Sequence, residues 1–132
     1  MTAVRTEPHA GTVGEAMNPG VLTCLPGTPL REVARMMADH RIHAVVVLGS
    51  DDSLRPWGVV SDLDLIGAIG LSVDAGAIAG SPVVTVTPEV PLEHAATLLT
   101  ENETTHLLVV DRMGLPIGVL STLDVARVFA VS

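Results

Sequence analysis

The chain has 132 residues, a net charge of −8 and almost no aromatic side chains: one Trp, one Phe and no Tyr. That length fits one domain, large enough to bury roughly two-thirds of its unfolded surface without a disulfide or a metal. The acidic balance and the missing rings exclude nucleic acid as a partner, because such binders carry a basic footprint and stack bases on aromatic faces. The lone Cys24 cannot form an internal disulfide, so it points to a reducing compartment and reads as a packing residue. No apolar run approaches the ~18–20 residues of a membrane span, and the first residues lack the apolar centre of a signal peptide. The expectation is a soluble, cytoplasmic protein without a membrane partner.

In chain order, residues 1–12 read as a flexible arm, and "TVGEAM" as a single helical turn. "VLTC" is a short strand stopped by Pro26. Thr28 as cap and Pro29 as first helical residue then predict a helix that places Leu30, Val33, Ala34 and Met37 on one face. Two strands follow, "AVVVL" and "WGVVS", joined by a polar turn that includes Asp51 and Asp52. Their unbroken apolar runs predict burial on both faces, with Trp57 packed in the core or at an interface and ligand stacking as the alternative. A second helix is predicted from Asp62 to about Gly70.

The same order then recurs. "GVLTCLPGTPLREVARMM" aligns with "PVVTVTPEVPLEHAATLL" at an offset of 62, so that Thr23 meets Thr85, Pro26 meets Pro88 and Pro29 meets Pro91. Leu92, Ala95, Ala96 and Leu99 form the matching helix face, and "HLLVV" matches "AVVVL". After a loop two residues shorter, the offset becomes 60, and the last helix runs from Thr122 to about Val131. The chain therefore divides into units at 13–70 and 71–132, with 71–75 as linker. The fold class expected is α+β: two β-α-β-β-α units, each too small to stand alone, packed about a pseudo-twofold axis.

The most similar segments are "GVVSDLD", Gly58 to Asp64, and "GVLSTLD", Gly118 to Asp124. Ser with an acid three residues on, where a strand turns into a helix, is the pattern of a capping box, and acid in the first turn suits the helix dipole. The same geometry suits a ligand: backbone N–H groups face an anion, the serine adds a hydroxyl, and the aspartate offers an acceptor pair matched to a ribose diol. Both readings stand at this point. Elsewhere no metal site is expected, since the chain has one Cys, five His and no HExxH. His40 fits a helix C-terminus, and His94 and the Glu101–Glu103 stretch read as solvated. No nucleophile–base pair or split carboxylate pair is present, so an enzyme is not expected.

Taken together, these segments resemble the cystathionine-β-synthase (CBS) domain, present as a tandem pair or Bateman module, over roughly Val13 to Ala130. The resemblance rests on the paired segments above, with "HRIHAVVVL" and "TTHLLVVD" before the third strands. It implies a nucleotide held in a cleft between two units. The family's Ser/Thr-x-x-Asp motif falls on Ser61 and Asp64 and on Ser121 and Asp124, implying ribose hydroxyls on each Asp and ribose or phosphate near each Ser. Base contacts are implied at Met17 and Leu22, at Ala79 and Val84, and at Ile42 and Thr104. Phosphate contacts are implied at His43 and at Thr105 and His106. The implied pairing joins Ser61, Asp64 and His43 with Ala79 and Val84, and Ser121, Asp124, Thr105 and His106 with Met17 and Leu22. Where many members carry Arg or Lys beside the motif, this chain has Asp62, Leu63, Thr122 and Leu123. An AMP-like or adenosine ligand is therefore expected over ATP.

The resulting expectation is a regulatory sensor of an adenosine nucleotide that acts through an effector protein. The family implies a homodimer through the helices after each third strand, here "LIGAIG" and "VARVFAV". The competing expectation is a constitutive interaction or scaffold module without a small ligand, in which both serines are only caps.

Overall fold

In the computed structural model, residues 11–49, 55–80 and 83–131 are described. Most of the N-terminal arm, the acidic turn at 50–54 and residues 81–82 lie outside them. In chain order the elements are α1 (Val13–Ala16), β1 (Asn18–Pro19), β2 (Thr23–Cys24), α2 (Leu30–His40), β3 (Ala44–Leu48), β4 (Pro56–Ser61) and α3 (Asp62–Gly67). They continue as α4 (Ala75–Ile78), β5 (Thr85–Val86), α5 (Leu92–Glu101), β6 (His106–Val110), β7 (Pro116–Ser121) and α6 (Thr122–Ala130). The repeat thus reappears in the order of elements, except that among the described residues β1 is matched only by an isolated bridge at Gly80. Among the described residues no helix is long and apolar enough to cross a membrane.

The chain forms two compact units, and they cut across the sequence repeats. One, the Ser121 unit, takes the described residues of Met1–Gly20 together with Val84–Met113 and Ile117–Ser132; the other, the Ser61 unit, takes those of Val21–Val83 with Gly114–Pro116. The short leading helices are exchanged. A four-residue helix cannot satisfy its own first N–H groups and needs carbonyls from elsewhere. In α1 the N–H groups of Val13 and Gly14 donate to the carbonyls of Val90 and Pro88, each at 2.9 Å. In α4 those of Ala75 and Gly76 donate to Thr28 and Pro26, at 2.9 and 2.8 Å. Each proline loop thus receives the helical turn that opens the other repeat.

The Ser121 unit holds a sheet of order β1-β7-β6-β5, with β5 parallel to β6 and β1 antiparallel to β7. Its core is Val13, Val86, Leu92, Ala95, Leu99, Leu107, Val109 and Leu120. The Ser61 unit holds the order β2-β3-β4, with β2 parallel and β4 antiparallel to β3. Its core is Cys24, Val33, Met37, Val45, Val47, Val60 and Ala75. Val46 and Leu108 point to the opposite strand face from these clusters and are also fully buried, so β3 and β6 are buried on both faces as expected; β4 and β7 are not, since Trp57, Val59, Ile117 and Val119 on their other face stay partly or well exposed.

Several local expectations shift. The first strands shrink to two residues each, Thr23–Cys24 and Thr85–Val86. Pro29, not Thr28, is the cap of α2, with extended backbone at φ −62° and ψ 144°. The Thr28 hydroxyl instead accepts from the Leu25 N–H at 3.1 Å and closes the preceding turn. A proline cap has no side-chain acceptor, so serine-like capping is absent there and at Pro91. Helix α3 ends at Gly67 because Ala68 leaves helical geometry. Trp57 is 41% exposed rather than packed in the core, since the strand period turns its neighbours Gly58 and Val60 inward.

Candidate functional site: two strand-to-helix junctions

Each unit contains one junction at which a strand end turns directly into a helix. In the Ser61 unit β4 passes into α3. The Ser61 hydroxyl accepts from the Asp64 N–H at 3.1 Å, and the Asp64 carboxylate Oδ2 accepts from the Ser61 N–H at 2.9 Å. In the Ser121 unit β7 passes into α6, and the reciprocal bonds measure 3.2 and 2.7 Å. Both capping boxes are therefore complete, as the spacing predicts. The first helical N–H is also taken: Asp62 donates to the carbonyl of His43 at 2.8 Å, and Thr122 to that of Thr105 at 3.0 Å. The expected array of N–H groups open to an anion is thus reduced by bonds to the chain itself. Beyond the cap, the group at each junction able to accept further hydrogen bonds is the carboxylate.

A glycine three residues before each serine lets another segment approach the junction. Asn18 and Pro19 pair antiparallel with Val119 and Gly118, and Gly80 bridges to Val59 with bonds of 2.9 and 3.2 Å. A Cβ on Gly118 would lie 2.7 Å from the Asn18 carbonyl oxygen and from Met17 Sδ; one on Gly58 would lie 2.7 Å from the Gly80 oxygen and 3.2 Å from the Ala79 Cβ. Glycine is required at both places because those distances are closer than any side chain tolerates. This approach carries Met17 to the Ser121 junction and Ala79 to the Ser61 junction.

The remaining predicted residues divide by unit. Ile42 packs against the Ser61-unit core, and Leu22 belongs to that unit, its carbonyl accepting from Val46 N–H at 3.0 Å. Val84 belongs to the Ser121 unit and bonds in the same way to Leu108. Thr104 Oγ1 donates to the His106 carbonyl at 3.2 Å, and Thr105 Oγ1 lies 2.9 Å from His106 Nδ1. His43 Nδ1 lies 2.8 Å from Asp62 Oδ2, with both side chains well exposed. Asp62, noted in the sequence only as a missing base, thus occupies the ring of His43.

The sequence pattern did not single out Asn18. Its amide Nδ2 donates to both oxygens of Asp124, at 3.3 and 3.2 Å, and Arg127 Nη1 stands 3.8 Å from Asp124 Oδ1. Asp124 is only 5% exposed. The residues matched to Asn18 and Arg127 in the other unit are Gly80 and Gly67, neither of which has a side chain to offer. Asp64 is half-buried, and among the described residues no side chain donates to its Oδ1. The available signal was the alignment itself, where the offset of 62 sets Asn18 against Gly80 beside a predicted base contact. Cys24 lies in the Ser61-unit core, where burial raises its thiol pKa, partly offset by a hydrogen bond with the Thr28 side chain.

Two units of the same strand–helix order, each with a Ser-x-x-Asp junction, define a tandem-repeat α+β protein. A family model for the CBS domain matches residues 13–71 and 75–131. The chain belongs to the CBS domain family. It is 29% identical to an uncharacterized protein of Methanopyrus kandleri over 89% of this chain, and 29% identical to a homoserine O-acetyltransferase of Methanohalobium evestigatum over 87%. It spans 62% and 23% of those two proteins' lengths. Among solved structures it resembles a CBS domain protein from Pyrobaculum aerophilum complexed with AMP, at 27% identity and a TM-score of 0.76, covering 92% of this chain and 99% of that one. The CBS domain pair of protein MJ0100, in complex with 5′-methylthioadenosine and S-adenosyl-L-methionine, shares the fold at 19% identity and a TM-score of 0.83, with 92% and 98% covered.

Proposed function

We propose that this chain is a regulatory module that binds an adenosine nucleotide, with the Asp64 carboxylate as acceptor for the ribose hydroxyls. The observation that carries this reading is the state of Asp64. One oxygen is engaged by the cap, and no described side chain donates to the other. A vicinal diol needs such an acceptor, and a carboxylate forms strong, charge-assisted bonds to it. Ser61 supplies a hydroxyl beside it, and Ala79 an apolar neighbour next to Gly58. The AMP-complexed Pyrobaculum relative supports the adenosine class.

Charge favours a monophosphate. The chain carries −8, and His43, the basic side chain expected at the phosphate, already faces the Asp62 carboxylate at 2.8 Å. A triphosphate would bring several more negative charges to an acidic surface. The test is calorimetry and thermal shift with AMP, ATP and S-adenosylmethionine. Wild type gains melting temperature with AMP and less with ATP, in line with linkage between ligand concentration and stability. Asp64→Glu keeps a capping acid but moves the acceptor by one methylene, so the AMP shift disappears. An unchanged shift in Asp64→Glu rejects the assignment. If wild type responds to none of the three, the scaffold reading stands, in which the two complete capping boxes are the whole role of both serines.

The module acts as a homodimer in this reading. Leu63, Ile66, Ile69 and Leu71 on and just after α3 are 60–76% exposed, and Phe129 and Val131 at the end of α6 are 77% and 86% exposed. Apolar side chains in such number on two helices need a cover, and a second copy supplies a matching one. Light scattering gives a dimer mass for wild type and a monomer mass for Ile66→Glu with Phe129→Glu. Transmission of the ligand signal then falls to an effector protein docked on that assembly.

A further inference from the structure

We infer that Asn18 is a built-in occupant of the Asp124 acceptor, which closes that junction and leaves one adenosine site per chain, at Asp64. The inference rests on the adenosine reading above and adds the number of working sites and the residue that sets it.

The Asp124 carboxylate receives the Ser121 N–H on Oδ2 at 2.7 Å and the Asn18 amide on both oxygens, at 3.2 and 3.3 Å. It has Arg127 at 3.8 Å and is 5% exposed. An amide donor set across both oxygens fills the place in which two ribose hydroxyls would donate. A ligand would have to expel Asn18, whose backbone is pinned by pairing with Val119, and open a buried group. Asp64 carries the same cap and neither obstacle. The residue matched to Asn18 is Gly80, and that matched to Arg127 is Gly67. The two junctions therefore differ in the side chains around the carboxylate and not in the cap.

The two glycine–asparagine positions can be exchanged without strain. A Cβ built on Gly80 meets only the Val59 carbonyl oxygen, at 3.8 Å, an ordinary contact. Asn18 is exposed, and its replacement by glycine removes a side chain without opening a core cavity.

The experiment is isothermal calorimetry with AMP on the full chain and four variants, each checked for fold by circular dichroism. Wild type is expected to bind one AMP per chain and Asn18→Gly two. Gly80→Asn is expected to bind none, because the new amide reaches Asp64 as Asn18 reaches Asp124. The double exchange, Asn18→Gly with Gly80→Asn, returns to one, and that site is lost on further change of Asp124→Asn. Two sites in wild type, one site in Asn18→Gly, or full binding in Gly80→Asn each overturn the inference while the adenosine reading survives. Silence from wild type and Asn18→Gly with AMP, S-adenosylmethionine and 5′-methylthioadenosine overturns the adenosine reading and this inference with it.

Discussion

The Ser61 and Ser121 junctions share a backbone and a cap and differ in the side chains that reach their carboxylates from beyond the cap. The reciprocal Ser–Asp bonds fall between 2.7 and 3.2 Å in both, and in both the first helical N–H reaches back to the residue before β3 or β6. Around that frame, Asn18 and Arg127 stand where the other unit has Gly80 and Gly67, and Thr105 and Thr122 stand where it has His43 and Asp62. A duplicated unit must keep its caps, since a helix start without them leaves N–H groups unsatisfied. It is free to change the side chains beyond the cap, and those decide whether the carboxylate is spent inside the fold or left for a ligand.

Matched substitutions in the two units sharpen this contrast. The largest effect is expected in the cores, at the paired positions Leu120 and Val60, both fully buried. Leu120→Ala should cost about 2–5 kcal/mol and Val60→Ala about 1–3 kcal/mol in urea denaturation, following the side-chain volume removed. Next come the glycines of close approach. Gly58→Ala and Gly118→Ala should each cost about 1–3 kcal/mol. Gly58→Ala is the worse of the two, because its Cβ meets a backbone oxygen and the Cβ of Ala79, whereas at Gly118 one neighbour is the flexible end of Met17. Equal costs would mean that both segments yield alike.

The carboxylates separate the junctions most directly. Asp124→Ala removes the partner of the Asn18 amide as well as the cap and should cost about 1–3 kcal/mol, while Asp64→Ala should cost about 1 kcal/mol for the cap alone. A larger loss at Asp64 would break the comparison. The smallest effect concerns the paired core positions Cys24 and Val86, 8% and 6% exposed. Burial lifts the Cys24 thiol above its ordinary pKa of 9.0, so the unfolded chain ionises first and stability falls as pH rises past that value. Cys24→Val should change stability at neutral pH by less than about 1.5 kcal/mol and remove that alkaline loss, read from melting temperatures between neutral and alkaline buffer.

Much of this was legible in the residues. The repeat reads from offsets of 62 and 60, the capping boxes from a Ser–Asp spacing of three, the helix faces at Val33 and Met37 or Ala95 and Leu99 from a period of about four, and the doubly buried β3 and β6 from unbroken apolar runs. The cap of α2 falls on Pro29, one residue after the expected Thr28, because the Thr28 hydroxyl is used in the turn before the helix.

By itself the sequence determined the local elements and their duplication, since helix, strand and cap are set by contacts within a few residues. Only the tertiary structure decided that the leading helices α1 and α4 change places, that Asn18 reaches Asp124 across 106 positions, and that Gly80 leaves Asp64 without such a donor. The physical reason is that a carboxylate's remaining acceptor capacity depends on which side chains the folded chain brings to it, and those come from parts of the sequence with no local relation to the motif.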